Sequence, residues 1–294
     1  MKKLHPQAQQ LFNLFLLLIA GKYVAHIYLA WQEIVGILFF TLGSEHLLLY
    51  VKYKTLQYFS FSALSTAIGV MLMMVSTHYY LYFILIFAAL SQKHFIHYRT
   101  QHFFNPSNFA LIMGLLFFYH DTHLVLGQLG DSLTFALLVC AIAIVILYRV
   151  KRWLLPLIFI LTYLVSQYTI IVSSDPMMLM ETVWYRFYSV SFIVFILFML
   201  TDPRTTPSKV SYQMVFGAAL ALLATFLDYI DGFRVQHMFM ALFLFSPLVV
   251  LLEKYSHAEN KMKLLLLSIA ILLLSLSVII YIEIQPPYYF EMDG

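Results

Sequence analysis

The sequence predicts an all-α polytopic integral membrane protein with about ten or eleven transmembrane helices, and three observations carry that prediction. Hydrophobic residues fill 62% of the 294 positions and charged residues only 11%. A soluble domain carries about 25% charged residues, so this chain lacks the polar surface to face water on every side. Apolar runs of membrane-crossing length follow one another, and the longest gaps between them are about ten residues, too short for a soluble domain. Basic residues collect in alternate gaps.

A spanning helix needs roughly 20 apolar residues to cross a hydrocarbon core of about 30 Å. Runs of this kind occupy residues 9–29, 32–51, 57–76, 79–93, 104–119, 131–148, 153–173, 184–200, 211–228, 233–252 and 262–282. The first follows a polar start with Lys2 and Lys3 and has no small-residue cleavage site behind it, so it reads as a retained helix. The second closes on Lys52 and Lys54, and the third carries Met71, Met73 and Met74 as packing residues. The runs 79–93 and 104–119 are short and are expected to tilt, break or cross only in part. The sixth closes on Arg149, Lys151 and Arg152, and the eleventh opens on Lys261 and Lys263. With the N-terminus in the cytoplasm, 14 of the 17 basic residues fall on the cytoplasmic side, the exceptions being Lys22, Arg186 and Arg234. Lys22 and Arg186 are expected to snorkel outward. Asp121, Asp131, Asp175, Glu181, Asp228 and Asp231 fall on the opposite side. Removing one span would invert every later gap, so the positive-inside rule supports both count and orientation. Tyr288, Tyr289 and Phe290 read as an interfacial anchor.

The single transmembrane domain, 1–294, divides into two halves at about 9–119 and 131–252, with an extra C-terminal helix at about 262–282. Each half carries a polar element with proline on the basic side: Phe104-Asn105-Pro106-Ser107-Asn108, and Thr201-Asp202-Pro203-Arg204-Thr205-Thr206-Pro207. Inverted repeats with broken helices place a binding site between the halves. Five spans per half would put the two elements on opposite sides, whereas the charges put both inside; the motifs suggest the repeat and the charges leave it open.

One cysteine, Cys140, excludes an intrachain disulfide and any Cys-rich metal centre. No Walker motif, dinucleotide fingerprint, zinc-protease helix or nucleophile elbow is present, so the chain is not expected to use ATP or bind NADH by itself.

Five short motifs in order resemble the NqrB/RnfD family over roughly residues 30–255. His102-Phe103-Phe104-Asn105-Pro106-Ser107-Asn108-Phe109 is similar to its Phe-Asn-Pro-Ala signature. Phe198-Met199-Leu200-Thr201-Asp202-Pro203, with Val215-Phe216-Gly217-Ala218, resembles its Thr-Asp-Pro turn and Phe-Gly-Ala helix. Ser62-Ala63-Leu64-Ser65-Thr66-Ala67, Gln92-Lys93-His94, and Asp231-Gly232 with Ser246-Pro247-Leu248 complete the set. The chain also resembles the short UnbU-like relatives associated with enediyne gene clusters. The resemblance implies a fold like urea and ammonium channels, placement in a bacterial cytoplasmic (inner) membrane, and electron transport through flavin coupled to ion movement. It implies a redox-complex subunit rather than a stand-alone enzyme, with the bilayer and other subunits as partners and no nucleic acid. The Ser-Gly-Ala-Thr motif that holds FMN covalently in the family is absent: the matching region, 120–130, begins His120-Asp121-Thr122-His123. A flavin, FMN or riboflavin, would therefore be held noncovalently. Asn105, Ser107, Asn108, Thr201, Asp202, Thr205 and Thr206 are the residues to line its site.

Each candidate has two readings. Asn or Asp before Pro starts a helix, the side chain capping free N–H groups; in a buried half-helix the same N–H groups bind an anion. Asp202 suits a ribityl hydroxyl or a cation better than a bare phosphate. Glu45 and His46 lie about 10 Å inside the membrane from Lys52 at 1.5 Å per residue. They are ion- or proton-pathway candidates by depth, or else local partners of Lys93 or His94. His94, His97 and His102 form one histidine box, where a di-iron enzyme needs several, or a basic interfacial strip. His26, His46 and His237 are of the type that ligates haem. A cofactor-free transporter or channel for a small solute is the alternative function on the same fold.

Overall fold

The computed structural model describes residues 6–54, 59–98, 101–125, 133–173, 180–255, 258 and 260–285. Lys2, Lys3, Arg99, Asp131, Asp175, residues 126–130 and the aromatic end 288–290 lie outside the described residues.

Among the described residues, every apolar run of the sequence contains a helix. In chain order these are α1 (Pro6–Val24), α2 (Trp31–Tyr53), α3 (Phe61–Met73) and β1 (Met74–Ser76), then α4 (Tyr80–Phe95), β2 (His97–Tyr98) and β3 (Gln101–His102). There follow α5 (Pro106–Phe117), β4 (Thr122–Leu124), α6 (Leu133–Val150) and α7 (Leu154–Ser166), which continues as a π-helix, Gln167–Val172. Next come α8 (Met180–Tyr188) and α9 (Val190–Val194) with its π-helical continuation Phe195–Met199, then α10 (Val210–Asp231), α11 (Gln236–Lys254) and α12 (Lys261–Glu283). Among the described residues, five helical segments are long and apolar enough to cross a membrane unaided: Trp31–Tyr53, Leu154–Val172, Val210–Asp231, Gln236–Lys254 and Lys261–Glu283. Large apolar side chains such as Phe39 and Ile230 stand exposed on the outside of the bundle, 71% and 64%. In an otherwise packed helical protein that surface belongs to lipid. The protein is an all-α polytopic membrane protein.

The two runs expected to be short, 79–93 and 104–119, fold as α4 with 16 residues and α5, while the run 57–76, read as full length, yields only α3 as helix. Helix α5 has 12 residues, about 18 Å at 1.5 Å per residue, and α3 has 13. Neither reaches across a ~30 Å core. Beyond α3 the chain continues as β1, which pairs antiparallel with β4 in the register Met74↔Leu124 and Ser76↔Thr122. A non-helical backbone at depth is tolerated only where protein covers it; Met74, Ser76 and Thr122 are all buried. The run 184–200 is also broken: α8 and the α9 segment meet at 65° around Ser189.

Polar contacts sort the helix ends into two faces. At the basic face Lys52 Nζ donates to the His94 carbonyl and contacts His97, Gln101 reaches the Arg204 carbonyl, and Ser208 binds Glu253. At the acidic face Thr77 donates to Asp121, and Arg234 pairs with Asp231. Helices α1, α3 and α6 pack together on one side, α7, α10, α11 and α12 on the other, and α5 bridges to α11.

Two expectations need correction. Lys22 does not snorkel outward: its ammonium donates to the carbonyls of Ile27 (2.9 Å) and Leu29 (2.7 Å), closing the turn after α1. Arg186 turns inward and is buried at 4% exposure. The Asp228 carboxylate on α10 holds it there.

Candidate functional site

The two proline elements meet. Asn105 caps α5: its Oδ1 accepts from the Asn108 backbone N–H at 3.1 Å, with Pro106 at the first helical position. Its Nδ2 is left to donate to Asp202 Oδ2 at 3.1 Å. The contact borders a cavity of about 90 Å³. Gln7 and Gln10 of α1 and Ser62, Ser65 and Thr66 of α3 form its polar wall, and Met73 and Met199 line it with apolar surface. Arg204 and His102 stand beside Asp202. His102 donates from Nδ1 to the Phe104 carbonyl at 2.8 Å. Burial, only partly opposed by the Asp202 charge, pushes its pKa below the usual histidine value, so it is neutral near pH 7.

The seven residues expected to hold a ligand are largely engaged with the protein itself. Ser107 Oγ donates to the Thr66 carbonyl at 3.2 Å, and Asn108 Nδ2 to the Phe239 carbonyl at 3.0 Å. Thr201 donates back to Leu197, Thr205 to Asp202 Oδ2 at 3.3 Å, and Thr206 to the Asp202 carbonyl at 2.7 Å. Arg152 braces the far side of that turn through Thr206 and Ser208. Asn105, Ser107 and Asp202 line the cavity; Asn108, Thr205 and Thr206 do not. Thr201 borders a smaller adjoining cavity that Asp202 shares.

Asp202-Pro203 does not open a helix as the sequence reading expects. Residues 203–205 form a turn, with Asp202 Oδ1 accepting from the Arg204 N–H at 3.0 Å, and α10 starts only at Val210. Pro207 explains this. A helix starting at Pro203 would need an N–H from residue 207, which proline lacks, and its ring would strike the residue 203 carbonyl. Proline also disfavours helical backbone at Thr206.

Glu45 and His46 separate. Glu45 is buried between α2, α3 and α4, where it accepts from Lys93 (2.6 Å), His94 Nε2 (2.8 Å) and Ser60 Oγ (3.1 Å). His46 donates from Nδ1 to the Leu42 carbonyl of its own helix at 2.7 Å.

A second buried polar cluster lies at the acidic face, and the sequence reading did not assemble it. Asp228 Oδ2 accepts from Gln167 Nε2 (2.6 Å), Tyr163 Oη (3.1 Å) and Arg186 Nη1 (3.1 Å). Its Oδ1 accepts from His237 Nδ1 (2.7 Å) and the Arg234 N–H (3.2 Å). The Arg186 guanidinium also stacks on Phe233, 3.4 Å from the ring centre. Gly232, at φ +80°, makes the turn that brings α11 back against the end of α10. Asp228 lies nine residues before His237, but Tyr163 and Arg186 come from two other helices, and no spacing rule connects them.

The cavity sets a limit on what it holds. A site for a drug-sized ligand measures roughly 300–1,000 Å³, and a flavin belongs to that class. At about 90 Å³, with most surrounding donors already bonded, the residues do not fit a flavin in this conformation. They fit a few waters or a small hydrated cation next to one carboxylate.

No curated protein and no solved structure matches the chain. The model of the NQR2, RnfD, RnfE family matches residues 113–261, just over half of it. That stretch runs from within α5 through α11 and contains the Thr-Asp-Pro turn, the broken α8–α9 segment and the Asp228 cluster. The chain belongs to the NQR2, RnfD, RnfE family of membrane subunits.

Proposed function

We propose that this protein is the ion-handling membrane subunit of a redox complex, passing a small cation through the polar cavity where its two proline elements meet. The observation that carries the reading is the Asn105–Asp202 contact at that cavity. Asp202 supplies the one carboxylate, and serine, threonine and glutamine oxygens stand where they can replace water around a cation. Met73 and Met199 give the cavity an apolar stretch of wall, the kind of surface a hydrophobic constriction uses in a gated pore. The bent α8–α9 segment, which delivers Met199, is the element whose movement would open it. Family membership supports an electron-transport complex as the setting and other subunits as partners. The distribution of basic residues supports a cytoplasmic N-terminus in a bacterial inner membrane.

Family membership also favours a second reading, in which FMN or riboflavin is held noncovalently at the same place. The cavity would then have to widen, by α1 moving away from α3 and α5.

Two measurements on the purified chain separate these readings. The visible spectrum before and after acid precipitation reports flavin; a flavin band leaving with the supernatant supports the second reading. Protein without a chromophore, reconstituted in liposomes, is expected to carry sodium or protons, and Asp202→Asn is expected to remove most of that flux from a still-folded protein. Absence of both flux and flavin would overturn both readings.

A further inference from the structure

We propose that Asp231, His237 and Glu283 form a binding site for a divalent transition metal at the acidic face, independent of the cavity at Asp202. One donor atom from each residue converges so that all three lie within 4.8 Å of one another. His237 Nε2 and Glu283 Oε2 are buried and make no hydrogen bond among the described residues, and Asp231 Oδ2 beside them is held by Arg234. His237 is fully buried, and its Nε2 stands 3.4 Å from Glu283 Oε2. An edge of about 3.4 Å is what a tetrahedron with metal–ligand bonds of roughly 2.1 Å requires.

The surrounding groups prepare this imidazole for a metal. His237 gives its Nδ1 proton to Asp228 Oδ1 at 2.7 Å, which turns the Nε2 lone pair toward the two carboxylates. A carboxylate behind a ligating histidine is the usual support of such sites. Gln236 donates to the other Glu283 oxygen at 3.1 Å, fixing that carboxylate as well. Asp228, Asp231 and Glu283 bring three negative charges and Arg186 and Arg234 two positive ones, so the cluster is balanced either by a protonated His237 or by a bound cation. One imidazole and two carboxylates suit zinc, iron or manganese. Asp231 and Glu283 keep side-chain exposures of 28% and 15%, so the site has an opening from the acidic side.

Arg234 competes for this place. Its Nη1 holds Asp231 Oδ2 at 2.7 Å, and a metal must displace it. This gives a test that loss of folding cannot imitate. The full chain in mild detergent, stripped with a chelator, is titrated with zinc by calorimetry. Wild type is expected to take up one equivalent. Glu283→Gln is expected to weaken binding at least tenfold, and Asp228→Asn by about 10–100-fold through the orientation of His237. Arg234→Gln is expected to tighten it several-fold. X-ray absorption of the zinc-loaded wild type is expected to show one imidazole nitrogen among oxygen ligands. Folded wild type that takes up no zinc, an all-oxygen shell, or an affinity unmoved by both Glu283→Gln and Arg234→Gln would overturn the proposal.

Discussion

Glu45 shows what a buried charge needs at the level of one side chain. Its two oxygens are answered by Lys93, His94 and Ser60. Removing one partner of a buried ion pair leaves the other uncompensated and costs about 3–5 kcal/mol. Glu45→Ala is therefore expected to lower the thermal midpoint in detergent by many degrees, while His46→Gln, whose ring hydrogen-bonds to the Leu42 carbonyl of its own helix, is expected to change it little. Equal effects would contradict this placement. The Glu45 partners were readable in the sequence because basic residues in a neighbouring span are few. The Asp228 partners were not, since Tyr163, Gln167, Arg186 and His237 approach from three directions. Arg186 in particular looked like a snorkelling residue because nothing near it in sequence announces a carboxylate. His102 adds a pH dependence. Its pKa is lowered by burial in the folded state, whereas the unfolded chain takes up the proton near pH 6.5. The stability it contributes is full above that pH and falls as pH drops below it. His102→Gln is expected to flatten the stability profile between pH 6.5 and lower values, which thermal unfolding across pH measures directly.

At the level of elements, α3 and α5 pack closely because Gly69 faces Ser107. A Cβ at position 69 would lie 2.7 Å from Ser107 Oγ and 3.2 Å from its Cβ. Gly69→Ala is expected to cost about 1–3 kcal/mol, as overpacking does, and Ser107→Ala in the same chain is expected to restore part of it. Failure of that rescue in unfolding measurements would mean that the helices lie farther apart. Helix positions were legible from apolar length alone, and so was the start of α5, because Asn105 and Pro106 meet the capping rule without tertiary help. The Thr-Asp-Pro element was misread as a helix start because the same rule was applied without weighing Pro207. The β1–β4 pairing was invisible to an apolar-length reading, since Met74-Val75-Ser76 continues the hydrophobic run of α3.

For the whole molecule, the alternation of basic and acidic ends is the expected orientation signal. Exposed Lys54 and Tyr79 lie after α2 and before α4. Lys54→Cys and Tyr79→Cys, each in a Cys140→Ser chain, are expected to react with an impermeant maleimide from opposite sides, position 54 from the cytoplasm. Labelling of both from one side would remove the topology. Ion passage at this site requires that the proline elements of residues 105 and 202 share a cavity although 97 positions separate them. Oxidative cross-linking tests it most directly. Asn105→Cys with Asp202→Cys in a Cys140→Ser chain is expected to form an intrachain disulfide, which keeps fragments joined after proteolysis between the two positions until reductant is added. Fragments that separate without reductant would place the elements apart and contradict the shared cavity.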